Sequence, residues 1–288
     1  MGRVFVVGSL NVDSVVRVQR HPSPGETVRA SDLATFWGGK GANQAVAAVS
    51  AGADVVFVGR VGDDAEGETY RRRLESRSID VRALRVTRDV TTGHAMIAVD
   101  ENGENTIIVS PGANARVTLA DLDVLRGEGG LDTTDTVYES EPAGIRPADV
   151  LLVSLELDLD VVSEAVRIAA AAGARAVLNL APFAALEPEV LALADPVVVN
   201  EHEAAQLREA GIEPASMLVT LGSAGSRWGD VSVEAQRVES VVDTTGAGDS
   251  YCGTLAARLA AGDSNEEAMR AASAAAARSV TWSGAQPA

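Results

Sequence analysis

Six short, uninterrupted apolar runs punctuate the chain: VFVV (4–7), VVFV (55–58), VLLV (150–153), AVLNL (176–180), VVV (197–199) and MLVTL (217–221). Runs of this length without polar alternation fit strands covered on both faces. Stretches of helical character lie between several of them. In one, Glu66 and Glu68 come first and Arg71, Arg72, Arg73 and Arg77 last, an order that complements the helix dipole; another is rich in alanine from Ser163 to Ala172. Buried strands alternating with helices predict an α/β fold built on a doubly wound, mostly parallel sheet flanked by helices.

A second kind of strand is more polar and alternates: SVVRVQ (14–19), HAMIAVD (94–100) and NTIIVS (105–110), the last two joined by the turn residues ENGE. These predict half-exposed antiparallel ribbons. They fall just after the first buried strand and again before the later ones, as a small inserted sheet would. The expectation is one domain over residues 1–288, with a β-sheet lid formed by segments of about 12–38 and 91–112.

Composition narrows the function. Forty-one acidic residues against 24 basic ones give a formal charge of −17, which repels nucleic acid and anionic membrane surfaces, so neither is expected as a partner. No apolar run has the length of a membrane span, and the N-terminus MGRVFVVGSLNVD lacks a signal-peptide pattern, so a soluble cytoplasmic protein is expected. Cys252 is the sole cysteine and cannot form an internal disulfide; His21, His94 and His202 lack metal-ligand spacing. With aromatics at 3%, the core must be mostly Val, Leu, Ile and Ala.

Chemistry concentrates in VVDTTGAGDSYCGTLAARL (241–259). A polar turn, then Gly246, Ala247, Gly248 and Asp249, then a helical pattern, would aim free backbone N–H groups at one point, where an anion is favoured. A carboxylate there makes sense if it faces a hydroxyl, accepting the proton as the oxygen attacks phosphorus. An Asp helix cap after a glycine turn explains the same residues and stays open.

The stretch FWGGKGANQA (36–45) holds the only lysine of the chain, Lys40. It is not a P-loop, because Gly41 follows the lysine, and VVGSLNVD offers Gly8 alone where a dinucleotide fold needs GxGxxG. A simple turn with a solvated Lys40, a helix cap at Asn200, and turn roles for Asn11 and Asp13 are the plain alternatives. Cys252 reads as a small buried helix residue, Trp37 as core or lid packing, and Ser264 with Glu267 as a capping box.

GSLNVD (8–13), PGETV (24–28), GGKGANQAVAA (38–48), VGDDAEGE (61–68), NEHE (200–203), TLGSAG (220–225) and DTTGAGDSYCG (243–253) occur in one order along the chain. On these motifs the sequence is similar to the ribokinase-like (PfkB) carbohydrate kinase family, from about Val4 to the C-terminus. The resemblance implies phosphorylation of the C5 hydroxyl of D-ribose by MgATP, in a cleft between a doubly wound domain and a β lid that also forms a homodimer. It leaves open a kinase of the same family for another sugar or a nucleoside (fructose, deoxyribose, adenosine), and a catalytically impaired sugar-binding homologue.

By the same resemblance, Asn11, Asp13, Gly39, Lys40, Asn43 and Glu156 form the sugar pocket. Asp249 is the base, and Gly246, Ala247 and Gly248 form the anion hole. Asn200 and Glu203 organise Mg²⁺ through water, while Thr220, Gly222, Ser223, Gly225 and Gly248 hold ATP. Asp243, Thr245 and Gly284 hold a monovalent cation, K⁺. Sugar hydroxyls point in fixed directions, so matched side-chain donors and acceptors give selectivity. An ammonium is a compact charge with three donors, able to reach a hydroxyl where a planar guanidinium would not fit. Gly38 and Gly39 would act as a hinge for the lid. Three departures stand out: a longer, acidic 127–147 stretch expected as a surface loop, room for only one crossover helix between Asn200 and Thr220, and a close at Ala288 where the family has a serine. The last predicts weakened potassium activation.

Overall fold

A computed structural model of the protein describes residues 2–128 and 144–287. Most of the acidic stretch expected as a surface loop, and Ala288, lie outside the described residues.

From the N-terminus, β1 (Val4–Val7) runs into the hairpin β2 (Asn11–Val18) and β3 (Ala30–Gly38), then α1 (Lys40–Ser50). After β4 (Val55–Gly62), α2 (Ala65–Ser76), β5 (Ile79–Asp80) and β6 (Leu84–Thr87) comes a second hairpin, β7 (Gly93–Val99) and β8 (Asn105–Ser110), and a short α3 (Asp123–Arg126). Strand and helix then alternate through β9 (Val150–Ser154), α4 (Leu159–Ala171), β10 (Arg175–Asn179), α5 (Pro188–Leu191), β11 (Val197–Asn200), α6 (Glu201–Glu209) and β12 (Met217–Thr220). A meander of β13 (Ser226–Trp228) and β14 (Val231–Val233) precedes α7 (Ala247–Ala260) and α8 (Asn265–Ser279).

The main sheet has the order β14-β13-β12-β11-β10-β9-β1-β4-β5, with β6 also paired to β4. Every pair from β12 through β4 is parallel, and among the described residues only the β12–β13 and β13–β14 pairs of this sheet are antiparallel. Val4, Val6, Val55 and Phe57 pack under α1, α2, α7 and α8, while Phe5, Val7, Val56 and Val58 pack under α3 to α6. Both faces are therefore covered, which is why these strands read as continuous apolar runs. Along the chain, β1 is followed by β4 on one flank and later by β9 on the other, so the winding reverses at β1. Ligands of open α/β sheets bind at such a reversal, beyond the carboxyl ends of the strands.

The second sheet, β3-β2-β7-β8, stands apart. Its hairpins are antiparallel, as the alternating pattern predicts, but β2 and β7 pair in parallel from Asn11 opposite Gly93 to Arg17 opposite Val99. Strand β3 lacks an apolar signature because it is a largely exposed edge strand. Asn11 and Asp13 are strand residues of β2, not turn residues. Side chains alternate across a strand, so Leu33, Met96 and Ile108 share the face opposite Asp13, and they are 70%, 51% and 59% exposed.

Candidate active site

The carboxyl ends of β1, β9, β11 and β12 deliver Ser9, Glu156, Asn200 and Thr220 to one edge of the main sheet. Helices α1 and α7 begin at this edge, and their N-termini differ. The first amides of α1 are all occupied: Lys40 N–H donates to Glu156 Oε2 at 2.9 Å, Gly41 N–H to Ser9 Oγ at 3.4 Å, Ala42 N–H to the Ser9 carbonyl and Asn43 N–H to that of Gly39. Helix α7 opens from Gly246 in the left-handed region (φ 76°). There the Ala247 N–H turns back to Thr244, while those of Gly248 and Asp249 meet no acceptor among the described residues, and the space beside Gly248 is open. Only the second terminus can take an anion.

Asp249, in the first turn of α7, is 6% exposed. Its carboxylate accepts from Asn43 Nδ2 and from Gln44 Nε2, each at 3.0 Å. Each oxygen keeps a further lone pair, so the group is oriented but still able to accept a hydroxyl proton. Lys40 stands close: the Asp249 carboxylate, then Glu156, hold its ammonium above the ordinary range although burial pulls the other way. That ammonium donates to no acceptor among the described residues, which leaves its three N–H bonds for a ligand.

Asp13 lies on β2 against Gly38; a Cβ there would sit 2.0 Å from its Oδ2. Burial first, and the Glu156 charge second, push its carboxyl up to about 7, with His94 opposing. Its Oδ1 is buried without a partner among the described residues. A desolvated acceptor of this kind is costly unless a donor arrives. Asn11 Oδ1 accepts from Asn114 Nδ2 at 2.9 Å, and Asn114 also brackets Leu10 through both its backbone groups, which leaves Asn11 Nδ2 to donate elsewhere. Glu156 accepts from Ser9 Oγ as well as from Lys40 N–H.

Asn200 and Glu203 form a reciprocal capping box at the start of α6, each side chain accepting the other's backbone N–H at 2.8 Å. The cap reading is therefore correct as far as it goes. Glu203 Oε1 has no partner among the described residues, and burial raises its carboxyl against the pull of Asn200 and Lys40. A single carboxylate with a spare oxygen fits Mg²⁺, which keeps most of its waters and takes phosphate oxygens. No cluster of three or more His, Cys, Asp or Glu that could hold a metal occurs among the described residues.

Thr220 closes β12, and Gly222–Ala224 form a single tight turn before β13. Ser223 on this turn is exposed, whereas a side chain at Gly225 would strike the Val233 carbonyl at 2.0 Å, so that glycine is required by packing. Asp243 accepts from Thr245 N–H and Gly284 N–H, both at 2.9 Å. Burial would raise its carboxyl, but these bonds outweigh it and hold it low. They also bring the 243–245 and 284 backbones together; the Thr244 carbonyl takes the Ala247 N–H, while those of Asp243, Thr245 and Gly284 are unused among the described residues, a donor set that suits a monovalent cation.

The expected sugar-side residues thus converge around Asp249, and the nucleotide-side residues line the adjoining strand ends. Sequence reasoning missed Ser9, Gln44 and Asn114. Gln44 was within reach, since it adjoins Asn43 in GGKGANQA; Asn114 sits in a 3-10 turn with no motif to mark it.

The fold and this site are those of a small-molecule kinase. The chain matches the pfkB family of carbohydrate kinases over residues 1–288, and it belongs to that family. Over 300 residues it is 34% identical to a ribokinase of Haemophilus influenzae, covering 98% of this chain and 93% of that one. It is also 34% identical over 298 residues to a ribokinase of Bacillus subtilis, covering 99% and 95%. The structure of Arabidopsis thaliana ribokinase complexed with ribose and ATP resembles it with a TM-score of 0.82 at 28% identity, covering 100% of this chain and 96% of that one.

Proposed function

We propose that the protein phosphorylates the C5 hydroxyl of D-ribose with ATP, giving ribose 5-phosphate and ADP. The observation that carries this reading is the pairing of an oriented, buried Asp249 carboxylate with the open Gly248 and Asp249 amides at the same helix start.

Asn11, Asp13, Gly39, Lys40, Asn43 and Glu156 hold the sugar. The orphaned Asp13 Oδ1 and the unpaired Lys40 ammonium are an acceptor and a donor set that ribose hydroxyls satisfy together. Asp249 takes the C5 hydroxyl proton as that oxygen bonds to the γ-phosphorus, and the bond from phosphorus to the bridging oxygen of ADP breaks. The open amides of Gly248 and Asp249, with that of Gly246, receive the negative charge that spreads over the transferring group, while the Ala247 N–H stays on the Thr244 carbonyl. Thr220, Gly222, Ser223 and Gly225 carry the nucleotide. Asn200 and Glu203 would hold Mg²⁺ through water, where the ion neutralises phosphate charge. Asp243, Thr245 and Gly284 would hold K⁺ beside the anion hole.

The small sheet, residues about 12–38 and 91–112, serves as a lid of this single domain and excludes water from the phosphoryl group. Its exposed Leu33, Met96 and Ile108 face supports a homodimer through the lid, measurable by sedimentation. No described helix is long and apolar enough to cross a membrane, and a cytoplasmic location accords with this chemistry.

The test is ADP release with ATP and a panel of ribose, 2-deoxyribose, fructose, adenosine and ribulose. Ribose at the lowest KM supports the reading. A lower KM for adenosine or fructose replaces the substrate, and binding of ribose without turnover makes the protein a sugar-binding homologue.

A further inference from the structure

Behind the site runs a buried chain of hydrogen bonds that the sugar and nucleotide contacts do not use. Tyr70 Oη donates to the Gly38 carbonyl at 2.5 Å. Gln286 Nε2 donates both to Tyr70 Oη at 2.9 Å and to Asn43 Oδ1 at 3.0 Å. Asn43 Nδ2 then donates to Asp249. Tyr70, Gln286 and Asn43 are 0%, 7% and 7% exposed, so water does not substitute along the chain.

The polarity of this chain is set at one end. A backbone carbonyl only accepts, so Tyr70 must spend its single proton on Gly38 and can only accept from Gln286. That requirement aims the Gln286 NH₂, not its oxygen, at Tyr70 and Asn43; Arg73 Nε lies 3.4 Å from Gln286 Oε1, on the acceptor side. Asn43 must in turn present its oxygen to Gln286 and its NH₂ to Asp249. A flipped Asn43 would set oxygen against carboxylate and amide against amide, unfavourable at both ends. The Gln286 segment is pinned by Arg73 and Arg77, which donate to the Pro287 carbonyl at 3.1 and 2.6 Å.

We infer that Gln286 is a positioning residue: it fixes the orientation of Asn43 toward Asp249 and ties that orientation to the Gly38 carbonyl, where the small sheet enters the site. This deepens the proposed kinase reading and, for its kinetic part, rests on it. It adds a route by which movement of β3 reaches the base.

The test uses Gln286→Met, which keeps length and volume but has no donor, and Tyr70→Phe, which deletes one oxygen. Removing a donor from buried acceptors predicts a fall of roughly tenfold in kcat/KM for ribose with Gln286→Met, with KM for ATP unchanged within about twofold. Tyr70→Phe loses less, and the double variant is no worse than Gln286→Met alone, because both act through one chain. Independently of turnover, the Asn43 side-chain amide protons, followed by ¹⁵N NMR, exchange slowly in the parent and faster in Gln286→Met; Tyr70→Phe gives the same reading if Gln286→Met does not fold. Unchanged Asn43 protection overturns the inference whatever the rates do, and so does lost protection with unchanged kcat/KM in an active enzyme. If the parent phosphorylates no sugar, the kinase reading fails on its own and the exchange measurement alone decides the role of Gln286.

Discussion

Asn43 Nδ2 lies 3.0 Å from Asp249 Oδ2, joining the first turn of α1 to the first turn of α7 across 206 residues of sequence. With Gln44 on the other oxygen, the carboxylate is oriented by a neighbouring helix rather than by its own.

Gln44→Met tests that arrangement. The glutamine's Oε1 is buried without a partner among the described residues, so the variant removes an orphaned acceptor together with a donor to Asp249. The two effects oppose each other, and stability should change by no more than about 1 kcal/mol. Turnover should fall about tenfold as Asp249 loses half its support. Thermal unfolding and steady-state kinetics on one preparation check both.

Asp13 sets a pH dependence. Its carboxyl titrates at about 7 when folded and near 3.8 when unfolded, because burial and Glu156 disfavour its charge. Between those values the native state holds a proton that the unfolded state has released. Stability contributed by this group is therefore full below the unfolded value and declines as pH rises toward about 7. Asp13→Asn should flatten that part of the stability profile and raise stability above it, while weakening ribose binding. Denaturant titrations across pH, with calorimetry for ribose, read the two effects.

Gly39 precedes α1 at φ 87°, and a Cβ there would lie 2.7 Å from Asn11 N and 2.8 Å from Leu10 Cα. Those are backbone atoms that cannot swing aside. Gly39→Ala should cost about 1–3 kcal/mol of stability and lower kcat/KM for ribose, since Lys40 shifts with the helix start.

Asp243→Ala removes the carboxylate that joins Thr245 to Gly284. Rates in potassium and in tetramethylammonium chloride should become nearly equal, with KM for ribose little changed. A cation response that survives in this variant would move the ion elsewhere.

The fold was legible because each buried parallel strand is an unbroken apolar run, and β1, β4 and β9 to β12 all show it. Strand β3 was not, since an exposed edge strand such as SDLATFW carries no buried face to leave a pattern. The parallel pairing of β2 with β7 joins segments far apart in sequence, and neither hairpin's own turn encodes it. At the site, residues within motifs were readable: Asn11, Lys40, Asn43 and Asp249. Asn114, Tyr70 and Gln286 lie outside the motifs, and Ser9, although inside GSLNVD, acts as they do by holding another site residue, a function that exists only once distant segments pack. The NEHE motif shows the converse, for Asn200 and Glu203 do cap α6, and the cap leaves one carboxylate oxygen over.

Turnover and ribose affinity of Asp249→Asn, measured on the same sample, test the account most directly. Asparagine keeps the shape but cannot take the hydroxyl proton, so kcat should fall by about 10²–10⁴-fold while calorimetry still detects ribose. A variant that phosphorylates ribose at the parent rate would contradict it.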